Sequence, residues 1–303
     1  MTVNRSMTLL VGDNPFHGIS HLSQERSRAR GAEMGSIGYL AGLVETSLDN
    51  CADGFMFSVS DVTLSILKEL RMKRSDLGFE AYAIVPYAYE YVRASTHTGG
   101  FLGLGKKVAK DIIFSGNVKA AAFGVKGIVF TDIAALLKTY ILYELHRIKS
   151  SAGKKVRVKS ILLHEILTEM ALALDMDWLV RAYIDFMQKL KMSPGFETRN
   201  FPYLVKKFKE WNICFEGLTI ATPFNKVGFQ MNPSREECES ALMDVEGANV
   251  IGMSILAAGY LKPLDAVDYL KTLQNLSGVV VGVSKELHAR ETFKLLRKRL
   301  CSP

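Results

Sequence analysis

The sequence has no uninterrupted run of about 18 apolar residues, the length a helix needs to cross a bilayer, so no membrane span is expected. Its opening, MTVNRSMTLLVGDN, turns polar too early for a secretory signal. Cysteine is scarce: Cys51, Cys214, Cys238 and Cys301 lie far apart and form no CxxC pair. That excludes a disulfide scaffold and points to free thiols in a reducing, cytoplasmic setting. Proline is rare as well, at 8 in 303 residues, while 48% of the chain is apolar and 23% charged. Disordered and collagen-like chains have neither balance.

Acidic residues are in the minority, 31 against 38 Lys and Arg, which leaves a net charge of +7. The excess is split among short clusters at 26–30, 106–110, 154–159, 206–209 and 297–299, on or beside expected helices. A nucleic-acid surface gathers its cations on one face and interleaves aromatics to stack bases. Solvated helix faces explain the scatter, so no nucleic-acid partner is expected. Anionic small substrates stay compatible with this balance.

What the chain does have is alternation. Short apolar runs ending in polar or glycine residues read as buried parallel strands. They fall at 8–12 (TLLVG), 54–59, 80–85, 158–164, 214–221, 249–254 and 278–283, with a weaker one around 195–198. Helical periodicity separates them at 34–48, 62–71, 132–149, 176–191, 201–211, 235–243, 263–273 and 285–300. Asp61 is placed to cap the second of these, and Ser234 with Glu237 forms a capping box for the sixth. Eight strand–helix units in this length predict an α/β fold, a (β/α)8 TIM barrel, as one domain over 1–303. A doubly wound sheet lacks its glycine-rich first turn here. Residues 86–155 exceed the roughly 30 residues of one unit. They predict a helical insertion after strand 3, a lid or an oligomer-forming element, with Tyr87, Tyr89 and Tyr91 in it.

Two motif matches fail on chemistry. Gly100–Lys106 fits GxxxxGK, but Lys107 stands where a magnesium-holding hydroxyl belongs and no buried strand precedes it. His17, His21 and Glu25 have helical spacing, but Pro15 and Gly18 make the segment a loop, so no metal site is expected.

The stronger signal lies at strand ends, because a barrel directs all of them into one mouth. Strand 1 is followed by Asp13, Asn14 and His17, and strand 2 by Ser58, Ser60 and Asp61. Strand 4 closes on His164 and Glu165; strand 6 leads to Thr222, Asn225 and Asn232. Strand 7 ends on Ser254, and strand 8 on Gly282 and Ser284 ahead of Lys285. An imidazole exchanges protons near neutral pH, so His164 suits an acid or a carbonyl-polarising donor. Asp13, His17 and Glu165 complete a catalytic set. Asn14, Ser58, Tyr87 and Asn232 are the expected substrate contacts. The turn into the last helix, with Ser284, Lys285 and Arg290, suits a phosphate, and Asn225, Ser254 and Gly282 join it as cofactor contacts.

These segments carry a resemblance to the aldo-keto reductases. GANVIGMSILAAGYLKP resembles that family's seventh strand and loop, and VVVGVSKELHARETF its cofactor-clasping eighth. SILLHE places His164 where the family has a catalytic histidine; GFETRNF and TPFN are similar to the fifth- and sixth-strand turns. The resemblance implies the barrel, a nicotinamide pocket for NADP or NAD, and reduction of a small carbonyl or anionic substrate. The family's tyrosine, aspartate and lysine have no match: FMFSVSDVTL holds no Tyr, Pro86 replaces the lysine, and Asp61 falls late. Val283 and Thr292 depart from the family in the eighth-strand motif. Two alternatives therefore stand beside the reductase. One is a cofactor-independent lyase or isomerase working through Asp13, His17, His164 and Glu165; the other is a non-catalytic, ligand-binding scaffold. The sequence leaves a homo-oligomer open.

Overall fold

The eight strands close into a single parallel barrel in chain order: β1 (Thr8–Gly12), β2 (Gly54–Ser58), β3 (Glu80–Val85), β4 (Arg157–Leu163), β5 (Ser193–Glu197), β6 (Thr219–Pro223), β7 (Asn249–Met253) and β8 (Leu276–Gly282). The computed structural model describes residues 7–17, 36–86 and 132–300. The described helices are α1 (Ile37–Asp49), α2 (Asp61–Lys73), α3 (Ile133–Ala152), α4 (Glu165–Ala173), α5 (Asp177–Lys189), α6 (Phe201–Glu210), α7 (Arg235–Leu242), α8 (Pro263–Leu270) and α9 (Glu286–Leu300). β8 closes on β1 in register, from Thr8 opposite Gly278 to Gly12 opposite Gly282.

Successive strand residues face opposite sides. One set, Leu10, Met56, Tyr82, Ile84, Leu162, Ala221 and Ile251, fills the barrel. The other, including Val11, Phe55, Phe57, Ile161, Phe196 and Ile220, packs beneath the helices. Burial on both faces is why the strands read as continuous apolar runs. Outside, α1 packs on α2, α2 on α3, and α9 returns against α1 and α8, so the helical layer closes over the strand seam.

Three expectations shift. The sixth strand starts at Thr219, because Gly217, at φ 76°, makes a turn tied to the Gly247 carbonyl. Cys214 is therefore an exposed loop residue. The helix expected over 176–191 is α5, but α4 precedes it, unforeseen; Asp175, at φ 52°, lies in the break between them. The cap of α2 is Ser60, not Asp61: its Oγ accepts the Thr63 N–H at 3.2 Å while Thr63 Oγ1 accepts the Ser60 N–H at 3.0 Å. Ser234 caps α7 as expected, accepting the Glu237 N–H at 3.2 Å. Of the expected insertion, 87–131 lies outside the described residues, and with it the glycine-rich stretch, as do His21 and Glu25. The described part, α3, is the outer-layer helix between β3 and β4, packed on α2 and α5.

Candidate active site

At the C-terminal end of β1 the chain folds into a short 3-10 turn, Asn14–His17, started by the Phe16 N–H bonding the Asp13 carbonyl at 2.7 Å. That turn swings His17 back over Asp13. Asp13 Oδ2 accepts the Ser58 N–H from the end of β2 at 2.7 Å and His17 Nε2–H at 3.1 Å. Only 4% of Asp13 is exposed, so this carboxylate couples two strand ends in a nearly dry setting. Asn14 is exposed and Ser58 is buried.

His164 follows β4 on the face of Ser160 and Leu162, the face that fills the barrel. It is also the N-cap of α4: its Nδ1 accepts the Ile166 N–H at 3.2 Å. A nitrogen that accepts carries no proton, so the proton of the neutral ring sits on Nε2. Burial holds the imidazole below its ordinary pKa; the Glu165 charge pulls upward, and Arg199 adds to the depression. The cap thus fixes His164 as a neutral Nε2–H donor.

β5 supplies the residue that the sequence reading missed. Gly195 lies on the barrel's inner face, where a Cβ would come within 2.6 Å of Leu162 Cγ and Ser160 Oγ. Two residues on, Glu197 shares that face and ends the strand at the mouth. It is 7% exposed and accepts the Glu165 N–H on Oε2 at 3.3 Å, so its carboxyl lies against the peptide that follows His164. Burial first, then the Glu165 charge, lifts its pKa to about 7; Arg199 opposes this, and Asp13 across the mouth adds to it.

The next turn is held by Glu169 of α4, whose Oε1 accepts from Thr198 Oγ1 (2.6 Å) and the N–H groups of Arg199 (3.1 Å) and Asn200 (3.2 Å). Arg199 Nε donates to Glu165 Oε2, while its buried Nη1 has no hydrogen-bond partner among the described residues. Glu165, Glu169, Arg199 and Asn232 line a cleft of about 640 Å3 beside the mouth, with Ile166 and Met170 on its apolar side. Glu165 is therefore an ion-pair partner at the base of α4, and Asn232 lines the same cleft. Glu169 and Arg199 were also missed. The sequence signal for Glu197 and Arg199 is GFETRNF, where alternation from Gly195 puts the Glu197 carboxyl on the inner face; Glu169 lies outside it.

The expected cofactor residues divide. Gly282 ends β8 against the Pro15 ring, so close that a Cβ would approach Pro15 Cδ to 2.6 Å. Ser284 accepts Tyr39 Oη–H on its carbonyl at 3.3 Å, and Lys285 is exposed where α9 begins. Gly282 thus adjoins the β1 turn, and Ser284 adjoins α1. Arg290 lies on α9, exposed and paired with Glu286. Ser254, at φ 52°, donates to Gln230 Oε1 at 3.3 Å. Asn225 departs from its expected role: fully buried, its amide donates to the Phe229 carbonyl and accepts the Phe229 N–H, both at 2.8 Å, closing its own loop. Tyr87 lies outside the described residues. Among the described residues no three His, Cys, Asp or Glu side chains are grouped to hold a metal. Asp61 is an exposed partner of Arg147 at 2.6 Å.

No protein-family model matches the sequence, and no curated protein matches it. Its fold does match solved structures. Two from Pseudomonas aeruginosa, provisionally named aldo-keto reductases, superpose with TM-scores of 0.58 and 0.59. Each is 10% identical, over 96% of this chain and 90% of the other. MGS-M4, an aldo-keto reductase from a Medee basin deep-sea metagenome library, gives a TM-score of 0.50 at 9% identity, over 86% of this chain and 82% of its own. The chain thus has an aldo-keto-reductase-like barrel, and at such identity the likeness is one of fold.

Proposed function

We propose that the protein is an oxidoreductase that reduces a small carbonyl compound with NADP or NAD at the C-terminal mouth of its barrel. The observation that carries the reading is His164, held at a strand end as a neutral Nε2–H donor by its capping bond to Ile166. Such a donor polarises a carbonyl without giving up its own proton. The fold likeness to aldo-keto reductases supports the same chemistry by analogy.

The donor set at the end of β8 fits the charged end of a nicotinamide cofactor in part. Lys285 and Arg290 offer exposed cations and Ser284 a hydroxyl, whereas Asn225 is spent on its loop. When bound, the nicotinamide supplies hydride. This chain's residues do the rest: His164 holds the carbonyl oxygen, and Asp13 fixes His17 over the mouth. Arg199 lines the cleft beside the mouth and gives that wall its one guanidinium among the described residues. Even with Glu197 neutral, the carboxylates Asp13, Glu165 and Glu169 outnumber Arg199 here, which favours a neutral carbonyl substrate over an anionic one.

The test is NADPH and NADH binding, followed by fluorescence, in the parent and in Lys285→Ala with Arg290→Ala. The expected result is binding that the double change weakens about tenfold, the worth of roughly 1.4 kcal/mol. Absence of binding at millimolar cofactor overturns the reading. The buried Asp13–His17 couple favours one alternative, a cofactor-independent isomerase or lyase. That alternative requires exchange of a substrate C–H with deuterated water when no nicotinamide is present.

A further inference from the structure

Among the described residues, the site has a carbonyl-holding donor, but the ends of β2 and β3 supply no phenol or ammonium group to protonate a reduced carbonyl. β2 ends in Ser58 and β3 in Val85 followed by Pro86. From the geometry at the end of β5 we propose that Glu197, as a neutral carboxylic acid, is the proton donor of this site. The proposal rests on the reductase reading above and deepens it.

Three independent features point to this residue. Its strand position directs it inward: Gly195 makes room for Leu162 inside the barrel, and Glu197 is the next residue on that face. Its carboxyl is anchored next to His164, because the peptide N–H of Glu165 donates to Oε2. An N–H at Oε2 makes that atom the carbonyl oxygen of the acid and leaves the proton on Oε1. Oε1 has no protein partner among the described residues, so it can serve a ligand in the mouth. Finally, Glu197 is surrounded by groups that oppose its ionisation. Glu165 on α4 and Asp13 at the end of β1 are both carboxylates near it, while Arg199 and the Glu165 N–H bond favour its charge and are outweighed. His164, the remaining neighbour from β4, is held in its neutral form and adds no charge. His17 is bonded to Asp13. A carboxyl kept neutral near pH 7 by burial is matched to giving up a proton at that pH.

The step balances. The carbonyl carbon gains the hydride, and the C=O π pair moves to oxygen, steadied by His164 Nε2–H. The O–H bond of Glu197 Oε1 breaks as its proton passes to that oxygen, giving an alcohol. The carboxylate left behind is reprotonated from water. The oxidative direction runs in reverse, with Glu197 as the base.

The experiment has three readouts on the parent, Glu197→Gln and Glu197→Asp: NADPH binding, reduction of 4-nitrobenzaldehyde with NADPH from pH 5 to 9, and the Glu197 ionisation from carboxyl-13C glutamate NMR. The expected result is a parent reduction rate that falls above about pH 7, with a roughly 100-fold or greater loss in Glu197→Gln. NADPH binding is unchanged, and Glu197→Asp retains partial turnover with a displaced pH limb. Unchanged turnover in Glu197→Gln overturns the proposal while leaving the reductase reading in place. If the parent neither binds NADPH nor reduces the aldehyde, the reductase reading fails, and the NMR titration decides the residue. A midpoint near 7 keeps Glu197 as the acid of the site. A midpoint near about 4.3, the ordinary glutamate value, overturns it.

Discussion

A single carboxyl, that of Glu197, ties the chemistry of the mouth to the stability of the molecule. Its folded pKa, raised to about 7 by burial and the Glu165 charge, lies above the ordinary glutamate value of about 4.3. The folded state therefore holds the proton more tightly than the unfolded chain does. The stabilisation is full below about pH 4 and fades as pH rises through about 7. The span corresponds to something on the order of 3 kcal/mol, at 1.36 kcal/mol for each tenfold change in proton affinity. Urea unfolding followed from pH 5 to 9 should show the parent losing stability toward high pH and Glu197→Gln losing markedly less. Equal slopes for the two proteins would mean that Glu197 ionises freely in the fold. The neighbouring histidine was readable from SILLHE, since it closes an unmistakable strand. Glu197 was not, for a physical reason: SPGFE contains Pro194 and Gly195, which locally read as a turn, and side-chain direction is undefined until the strand is accepted.

The way β5 tolerates those two residues belongs to the scale of elements. Tyr183, on α5 and completely buried, reaches through to the strands from outside. Its hydroxyl accepts the Gly195 N–H at 3.0 Å and donates to the Ile161 carbonyl, standing where a direct rung between β4 and β5 would run. Around it Phe196 packs edge-on at 5.4 Å between ring centres, with Phe208 behind at 5.1 Å. Tyr183→Phe keeps this aromatic packing and removes only the bridge. It should cost about 1–3 kcal/mol, the penalty for stranding a buried donor and acceptor. The loss should appear as a lower urea midpoint with an unchanged slope. Gly195→Ala tests the inner side of the same strand and should cost at least as much, because its Cβ meets Leu162, Ser160 and the Ile161 carbonyl at once. Elsewhere the element order was plain in the sequence, because runs buried on both faces stay apolar throughout. The start of β6 was not, since CFE continues an apolar-looking run while Gly217 breaks it with a left-handed turn. Nor was α4, whose exposed Ile166 and Met170, with Leu174 just past its end, mask the polar face expected of an outer helix.

A closed barrel has one seam that local sequence cannot specify, where the last strand meets the first across the whole length of the chain. Here the ends of the chain are tied together beside that seam, at the N-terminal face opposite the mouth, by bonds among β1, the start of β2 and α9. Asp53, just before β2, accepts the Leu9 N–H of β1 on Oδ2 at 2.8 Å, and its own N–H returns to the Leu9 carbonyl at 2.8 Å. Arg297 near the end of α9 donates to Asp53 Oδ1 at 2.5 Å, to the Cys51 carbonyl at 2.9 Å and to the Met7 carbonyl at 3.3 Å. One carboxylate thus joins the first strand, the second strand and the last helix. The pair is partly exposed, so its charge contributes little by itself. The backbone groups it satisfies contribute more. Asp53→Ala strands the Leu9 N–H and loosens α9, at a cost of about 1–3 kcal/mol. Asp53→Asn keeps an acceptor for Leu9 and should lose less. Because this tie lies a full strand length from Asp13, His164 and Glu197, both variants should bind NADPH as the parent does at a temperature where they are folded. Parallel losses of stability and cofactor binding would instead show that the seam transmits strain along β1 to the Asp13 turn, and that closure of the barrel sets the geometry of the mouth.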